Sequence, residues 1–388
     1  MANAQAAAMK KKRKLFSIAN GFDMPFLIIL MLILVIGLVC MYSASYAYAF
    51  YWYDGDSYYF IKRQLAFAVL GVVAMLMIST IDYHVLHKFS WVLWIVSLAL
   101  LVVAYIMPSS TGIHRWIRIP GIGQFQPSEV AKFALIVLYA HLVSLNHKKM
   151  KTFTKGYLPF MAILGITCGL VFIEPHLSGT VLILCTGAVL MIVGGIQAWL
   201  VAAGVGGVGA VGFLFVKLAE KGIIKYGSAR IAMWHDPWLD YSGDGYQLAQ
   251  SLITIGSGGL LGVGLGRSRQ KFLYLPEQYN DFIFSVVCEE LGLIGACVIM
   301  LIFALLILRG FWIALHARDR FGALLVVGIM THLALQTFLN IAVVSGFVPT
   351  TGISLPFFSY GGTALCLQLV EMGIVLSVSR QIPAPKAG

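Results

Sequence analysis

Long apolar runs recur along this chain almost from end to end, and they constrain its fold more than any other feature. They centre on residues 24–43, 64–80, 89–107, 129–146, 157–173, 178–196, 198–216, 282–308, 321–344 and 358–379. A helix needs about 20 apolar residues to cross a bilayer, so the pattern predicts about ten transmembrane helices. Only 11% of the 388 residues are charged, against roughly 25% in a soluble domain. That excludes a soluble enzyme, a disordered chain and a fibrous protein. The expected fold class is an all-α polytopic membrane protein, with residues 1–388 forming a single membrane domain.

The formal net charge of +11 would suggest nucleic acid in a soluble protein. Here it is expected to mark the cytoplasmic face, because short cytoplasmic loops collect Lys and Arg; no nucleic acid partner is expected. Residues 1–23 carry Lys10-Lys11-Lys12-Arg13-Lys14 and read as a basic cytoplasmic N-terminus. Alternation then places the loops of Lys88, of Lys148, Lys149, Lys151 and Lys155, and of Arg309, Arg318 and Arg320 on the same side. The tail 381–388 joins them. The 47–61 loop on the other side is aromatic and carries Asp54 and Asp56. Both termini are therefore expected in the cytoplasm.

Residues 217–281 form a large loop on the outer side, between the seventh and eighth spans. Its glycines from Gly256 to Gly266 interrupt an apolar stretch, as in a re-entrant segment. Non-helical backbone at membrane depth is tolerated only where protein buries it or it lines a cavity. The stretch from Gly346 to Thr363 fits the same description. The Gly204, Gly206 and Gly209 set formally matches a dinucleotide fingerprint but follows no strand and has no acid about 20 residues on. Close helix packing explains it better. The six cysteines form no C-x-x-C pair and read as small buried hydrophobes.

Several charged residues stand where chemistry could occur. Asp281 opens the eighth span, a place that suits a helix-capping carboxylate as well as a catalytic one. Glu289 falls two turns on, roughly on the same face, and Glu290 points nearly opposite. Acids inside an apolar helix are costly unless paired, so a buried polar network is the expectation for both. Glu129 and Lys132, three apart after Pro127, share a helix face. They either pair with each other or leave Lys132 to face a phosphate with Arg115, while Trp116 sits at headgroup level.

The motifs Tyr42-Ser-Ala-Ser45, Lys62-Arg63-Gln64, Arg115-Trp116-Ile117, Gln126-Pro-Ser-Glu129 and Asp244-Gly-Tyr-Gln247 occur in that order. They are followed by Gln270-Lys271, Leu275-Pro-Glu277, Asp281-Phe-Ile-Phe284, Glu289-Glu290-Leu-Gly292, Pro349-Thr-Thr-Gly352 and Pro356-Phe-Phe-Ser359-Tyr-Gly-Gly362. Over about residues 25–380 the chain resembles the SEDS family (shape, elongation, division and sporulation), nearest its division and sporulation branch.

The resemblance implies a multi-pass protein of the bacterial cytoplasmic membrane. It implies a peptidoglycan glycosyltransferase that polymerises lipid II at the outer face by inverting transfer, for septal wall synthesis in division or sporulation. Asp281 matches the family's essential aspartate and is expected to be the general base. Arg63, Arg115, Trp116, Lys132, Lys271 and Glu277 are expected to bind the pyrophosphate and sugars, supported by Glu129, Arg230, Glu289, Glu290 and Ser359. A divalent cation, Mg or Mn, is a further expectation, with Glu277 and Asp281 as its ligands; no organic cofactor is expected. The implied partners are lipid II, glycan linked to undecaprenyl pyrophosphate, a class B penicillin-binding protein, other divisome proteins and membrane lipid.

The chain departs from the family at three places. Glu174-Pro-His176-Leu-Ser-Gly179-Thr180 stands where the family has Pro-Asp-Leu-Gly-Thr, so His176 replaces an acid. Asn280 stands where Thr is usual, and Arg230 lacks a second basic neighbour. Two other readings compete: a lipid II flippase, suggested by the intramembrane polar residues His332, Gln336, Asn340, Gln368 and Glu371, and a scaffold that only recruits a transpeptidase. A transporter should keep its charged site near the bilayer midplane. Here acids, bases and glycines gather at one outer face, which favours the enzyme.

Overall fold

A computed structural model describes residues 21–107, 115–119, 123–174, 176–207, 234–243 and 245–382. Arg230, Asp244, most of the basic N-terminus and the end of the C-terminal tail lie outside these residues. Each of the ten apolar runs contains a helix among the described residues. The helices are α1 (Met24–Trp52), α2 (Tyr59–Thr80), α3 (His84–Ile106), α4 (Pro127–Asn146), α5 (Leu158–Ile173) and α6 (Leu177–Val193). They continue with α7 (Ala198–Gly207), α8 (Tyr246–Ser257), α9 (Ile283–Leu315), α10 (Arg320–Val344) and α11 (Gly362–Ser379). Eight are long and apolar enough to cross a membrane; α6 and α7 are shorter apolar helices.

The helices begin where local chemistry allows. Asp23 caps α1 by accepting a hydrogen bond from the Phe26 amide at 3.0 Å, with Pro25 in the first turn. Asp23 also binds Arg309 of α9 at 2.8 Å, tying the start of α1 to the far end of that helix. Pro127 opens α4, where its missing amide hydrogen is not needed. Ahead of α4, β1 (Ile117–Ile119) and β2 (Gly123–Phe125) pair antiparallel, a hairpin that no periodicity in so short a stretch announces.

The bundle has inner and outer helices. α4 and α10 bury 67% of their most apolar windows, whereas α2, α3 and α9 bury 22–28%. Large apolar side chains such as Leu70, Ile95 and Leu301 are exposed on the outer helices. Exposure of this kind costs nothing in hydrocarbon, which is as apolar as the side chains themselves. Between α2 and α11 the backbones approach closely. A Cβ on Gly71 would meet the Leu369 side chain, and one on Gly373 would meet the Met75 backbone.

The glycine-rich stretch after α8, expected to be re-entrant, folds against α9. After α8 the chain turns at Gly258–Gly264 and lies against the backbone of α9. Val263 and Gly264 donate to the carbonyls of Glu289 and Glu290, and Leu293 and Ile294 donate to those of Gly259 and Leu260. α9 breaks at Gly292 (φ 68°, ψ −174°), and a Cβ there would collide with Gly262 and Leu260. Only glycine occupies that region freely.

Candidate active site

The ends of the helices opposite Asp23 surround a cavity of about 920 Å³. Its wall is built from the α1–α2 junction, the hairpin before α4, the starts of α4 and α6, the segment before α9 and the loop 350–364. Of the residues proposed from sequence, Arg63, Arg115, Trp116, Glu129, Lys132, Glu277, Asp281 and Ser359 line it.

Asp281 is partly buried two residues before α9 starts. It does not cap that helix, whose N-cap is Phe282 without a side-chain bond. Among the described residues no hydrogen bond to its carboxylate is seen, so the group faces the cavity and the Gly352 backbone. A Cβ on Gly352 would stand 3.2 Å from Oδ2. Burial, and after it the Glu277 carboxylate, raise the Asp281 carboxyl to about 6 against the opposing pull of the Arg115 guanidinium. Glu277 is exposed at a left-handed φ of 52° and accepts from Asn280 Nδ2 at 2.6 Å.

The cations approach from several sides. The Arg63 guanidinium lies over the Tyr59 ring, 4.3 Å from its centroid. Arg115 Nε donates to the Glu174 carbonyl at 3.2 Å. Lys132 is 3% exposed and bonded to Glu129 at 2.7 Å, so it forms the expected intrahelical pair while still lining the cavity. Trp116 is exposed on the rim.

His176 is buried in the wall beside Ser128 Oγ (3.3 Å) and Gln126 Nε2 (3.4 Å). Burial, then the charges of Arg115 and Lys132, pull its imidazole down to about 3, which keeps the ring neutral. Gly179 makes room for that ring: a Cβ there would stand 2.7 Å from Nδ1. The neighbouring Glu174 carboxyl is buried without a hydrogen-bond partner among the described residues, and burial raises it to about 8, an effect Arg115 opposes.

Lys271 requires a correction. It does not line the cavity but is fully buried, with Nζ 2.8 Å from Glu290 Oε1 and 3.2 Å from Ser43 Oγ. Glu289 and Glu290, expected on nearly opposite faces, both bind the segment 268–271. Glu289 accepts from Ser268 Oγ and from the Arg269 amide at 3.0 Å, and Glu290 accepts from Ser43 Oγ at 2.7 Å. Helical periodicity gave the direction of each Cβ. The 268–271 segment folds close enough to receive both long side chains. Three network members thus come from the proposed site set, and they brace a loop instead of facing a ligand.

Other wall residues were not among the site residues expected from sequence. Tyr59, Phe60, Tyr279 and Tyr360 form an aromatic cluster, with Phe60 and Tyr279 centroids 4.6 Å apart. Gln336 and Gln368 also reach the cavity. In the sequence they are only polar residues within apolar runs.

A bundle of membrane-length apolar helices with an acid- and cation-lined cavity at one end defines a polytopic membrane protein with a polar site at the ends of its helices. The family described as Cell cycle protein (FtsW, RodA, SpoVE) matches residues 23–383, and the chain belongs to it. Stage V sporulation protein E of Bacillus subtilis is 42% identical over 92% of this chain and 97% of that protein. A probable peptidoglycan glycosyltransferase FtsW of Geobacter sp. (strain M18) is 37% identical over 94% and 98%. Among solved structures, a chain of a peptidoglycan synthase complex that coordinates polymerization and crosslinking matches with TM-score 0.77 and 25% identity, covering 93% and 98%. The rod shape determining protein RodA of Thermus thermophilus shares the fold, with TM-score 0.65 over 94% and 99%.

Proposed function

We propose that this cavity is where the chain, a peptidoglycan glycosyltransferase of the bacterial cytoplasmic membrane, joins lipid II units into glycan strands, with Asp281 as general base. One observation carries the assignment: the Asp281 carboxylate faces a cavity that Arg63, Arg115 and Lys132 also line. The base takes the proton of the acceptor sugar's 4-hydroxyl as that oxygen attacks the donor's anomeric carbon. An α-linked donor and a β-linked product require a single inverting displacement and no covalent intermediate. General-base help is worth about 10²–10⁴-fold.

The leaving group is a lipid pyrophosphate, whose charge grows as the bond breaks. The three cations neutralise it where low dielectric strengthens their effect. At neutral pH a neutral His176 and an uncharged Glu174 add no charge to that field, which Glu129 offsets in part at Lys132. The aromatic wall offers apolar ring faces to a sugar or to the start of the prenyl chain.

Among the described residues no group of three or more His, Cys, Asp or Glu is placed to hold a metal ion. Glu277 and Asp281 nevertheless face one cavity, and Mg²⁺ is commonly held by one or two carboxylates plus substrate phosphates. These two residues fit an Mg²⁺ or Mn²⁺ ion shared with the diphosphate, which would supply further charge neutralisation.

The supporting relative from a synthase complex suggests a crosslinking partner of the class B penicillin-binding type. The test is purified full-length protein, alone and with that partner, supplied with labelled lipid II. Wild type should make glycan strands and Asp281→Asn should make about 10²–10⁴-fold fewer. Equal yields from both would remove Asp281 as base. Lipid II crossing vesicles without polymer would favour the flippase reading.

A further inference from the structure

The segment carrying Asp281 is held at three consecutive carbonyls by groups distant in sequence. The Tyr360 amide donates to Tyr279 O at 2.9 Å, Ser359 Oγ donates to Asn280 O at 2.7 Å, and Asn340 Nδ2 donates to Asp281 O at 2.8 Å. Asn340 lies in α10 and is fully buried. Its amide nitrogen also donates to Ile353 O at 2.6 Å, so one side chain ties the aspartate's backbone to the loop whose Gly352 faces the carboxylate.

That loop is itself pinned. Gln336 Nε2 donates to Ser354 O at 3.1 Å, Ser178 Oγ donates to Thr351 O at 3.0 Å, and Gln64 Nε2 donates to Ser359 O at 3.2 Å. Asn340 Oδ1, by contrast, is buried without a partner among the described residues. The unpaired acceptor is a cost, and what the asparagine supplies in return is its two donated bonds, to the Asp281 and Ile353 carbonyls.

We infer that Asn340 is a positioning residue for Asp281, fixing the carboxylate over the cavity through the Asp281 carbonyl, with Ser359 acting likewise through that of Asn280. This inference rests on Asp281 being the base. Displacing a reacting group by about 1 Å can cost about 10²-fold in rate.

The test uses the full chain with its transpeptidase partner and lipid II, reading kcat, KM and thermal unfolding together. Asn340→Leu keeps the branching at Cγ and removes both donated bonds. The expected result is kcat lowered about 10–100-fold with KM close to wild type. The unfolding temperature is expected to fall as well, since two carbonyls lose their donor, so a double variant separates positioning from stability. In an Asp281→Asn background the same change should cause no further loss, because residues acting as a unit are non-additive. An unchanged kcat in Asn340→Leu, or an equal further loss in the double variant, overturns the inference. Should Asn340→Leu fail to fold, Ser359→Ala carries the test, with Ser359→Thr expected to restore the rate; equal rates for the two overturn it. An active Asp281→Asn single variant instead sinks the base assignment, and is told apart by that variant alone.

Discussion

Glu277 and Asp281 stand four residues apart on one cavity wall, and the negative charge of the first adds to burial in raising the carboxyl of the second. A raised carboxyl stays protonated to higher pH, and a base works only when ionised. Polymerisation is therefore expected to fall on the acid side through about pH 6. Glu277→Gln removes a charge that opposes ionisation and should move this limb to lower pH. Arg115→Met removes a charge that favours it and should move the limb to higher pH. Initial rates against pH for the three proteins check both signs; shifts in the same direction would contradict the electrostatic account.

Lys132 is nearly buried and already neutralised in part by Glu129. If its charge meets the departing diphosphate, Lys132→Met should lower kcat by about 10²-fold, the typical loss of one stabilising group. Glu129→Gln should cost much less, since the cation remains. Single-turnover rates with lipid II separate this from a change in binding alone.

Lys271 and Glu290 behave differently, because neither faces the cavity. Lys271→Met leaves a buried carboxylate unpaired and should destabilise the protein by about 3–5 kcal/mol. The double variant Lys271→Met, Glu290→Leu should regain most of that, since apolar replacement of both partners is often neutral. Thermal unfolding of the detergent-solubilised variants decides the matter; a specific rise in KM with unchanged stability would return Lys271 to the substrate site.

Gly292 breaks α9 so that the Gly258–Gly264 turn can bond to it. Gly292→Ala meets both an unfavourable backbone region and a collision with Gly262. A loss of about 3 kcal/mol or more is expected, from roughly 1–3 kcal/mol of strain plus the clash. The yield of folded protein and its unfolding temperature measure it.

Much of the architecture was legible without coordinates, since in hydrocarbon every backbone group must be bonded within its own segment. Length and apolarity therefore locate a helix before any tertiary contact is known. The same logic marked the glycine-rich stretch after Leu252 and the loop from Gly346 as places where backbone must be sheltered. α1 nevertheless runs to Trp52, nine residues beyond the apolar run predicted around 24–43, because the aromatic residues after Ser45 continue the helix.

The candidate site was legible in its residue types and not in its membership. Asp281, Arg63, Arg115, Lys132 and Glu277 share one cavity, as their order along the chain and the resemblance suggested. Lys271 belongs instead to a buried network, because Glu290 and Ser43 lie within bonding distance of its amine. Asn340 looked like any polar residue in an apolar helix until Asp281 O was found beside it.

The amino-acid order alone determined that this chain spans a membrane, which end is basic, and roughly where helices give way to glycine-rich turns, because those properties follow from local apolarity and charge. Which polar groups meet was decided only by the packed bundle. Hydrogen bonds and ion pairs act over about 3 Å, and only the folded chain brings residues 60 or 250 positions apart to that distance.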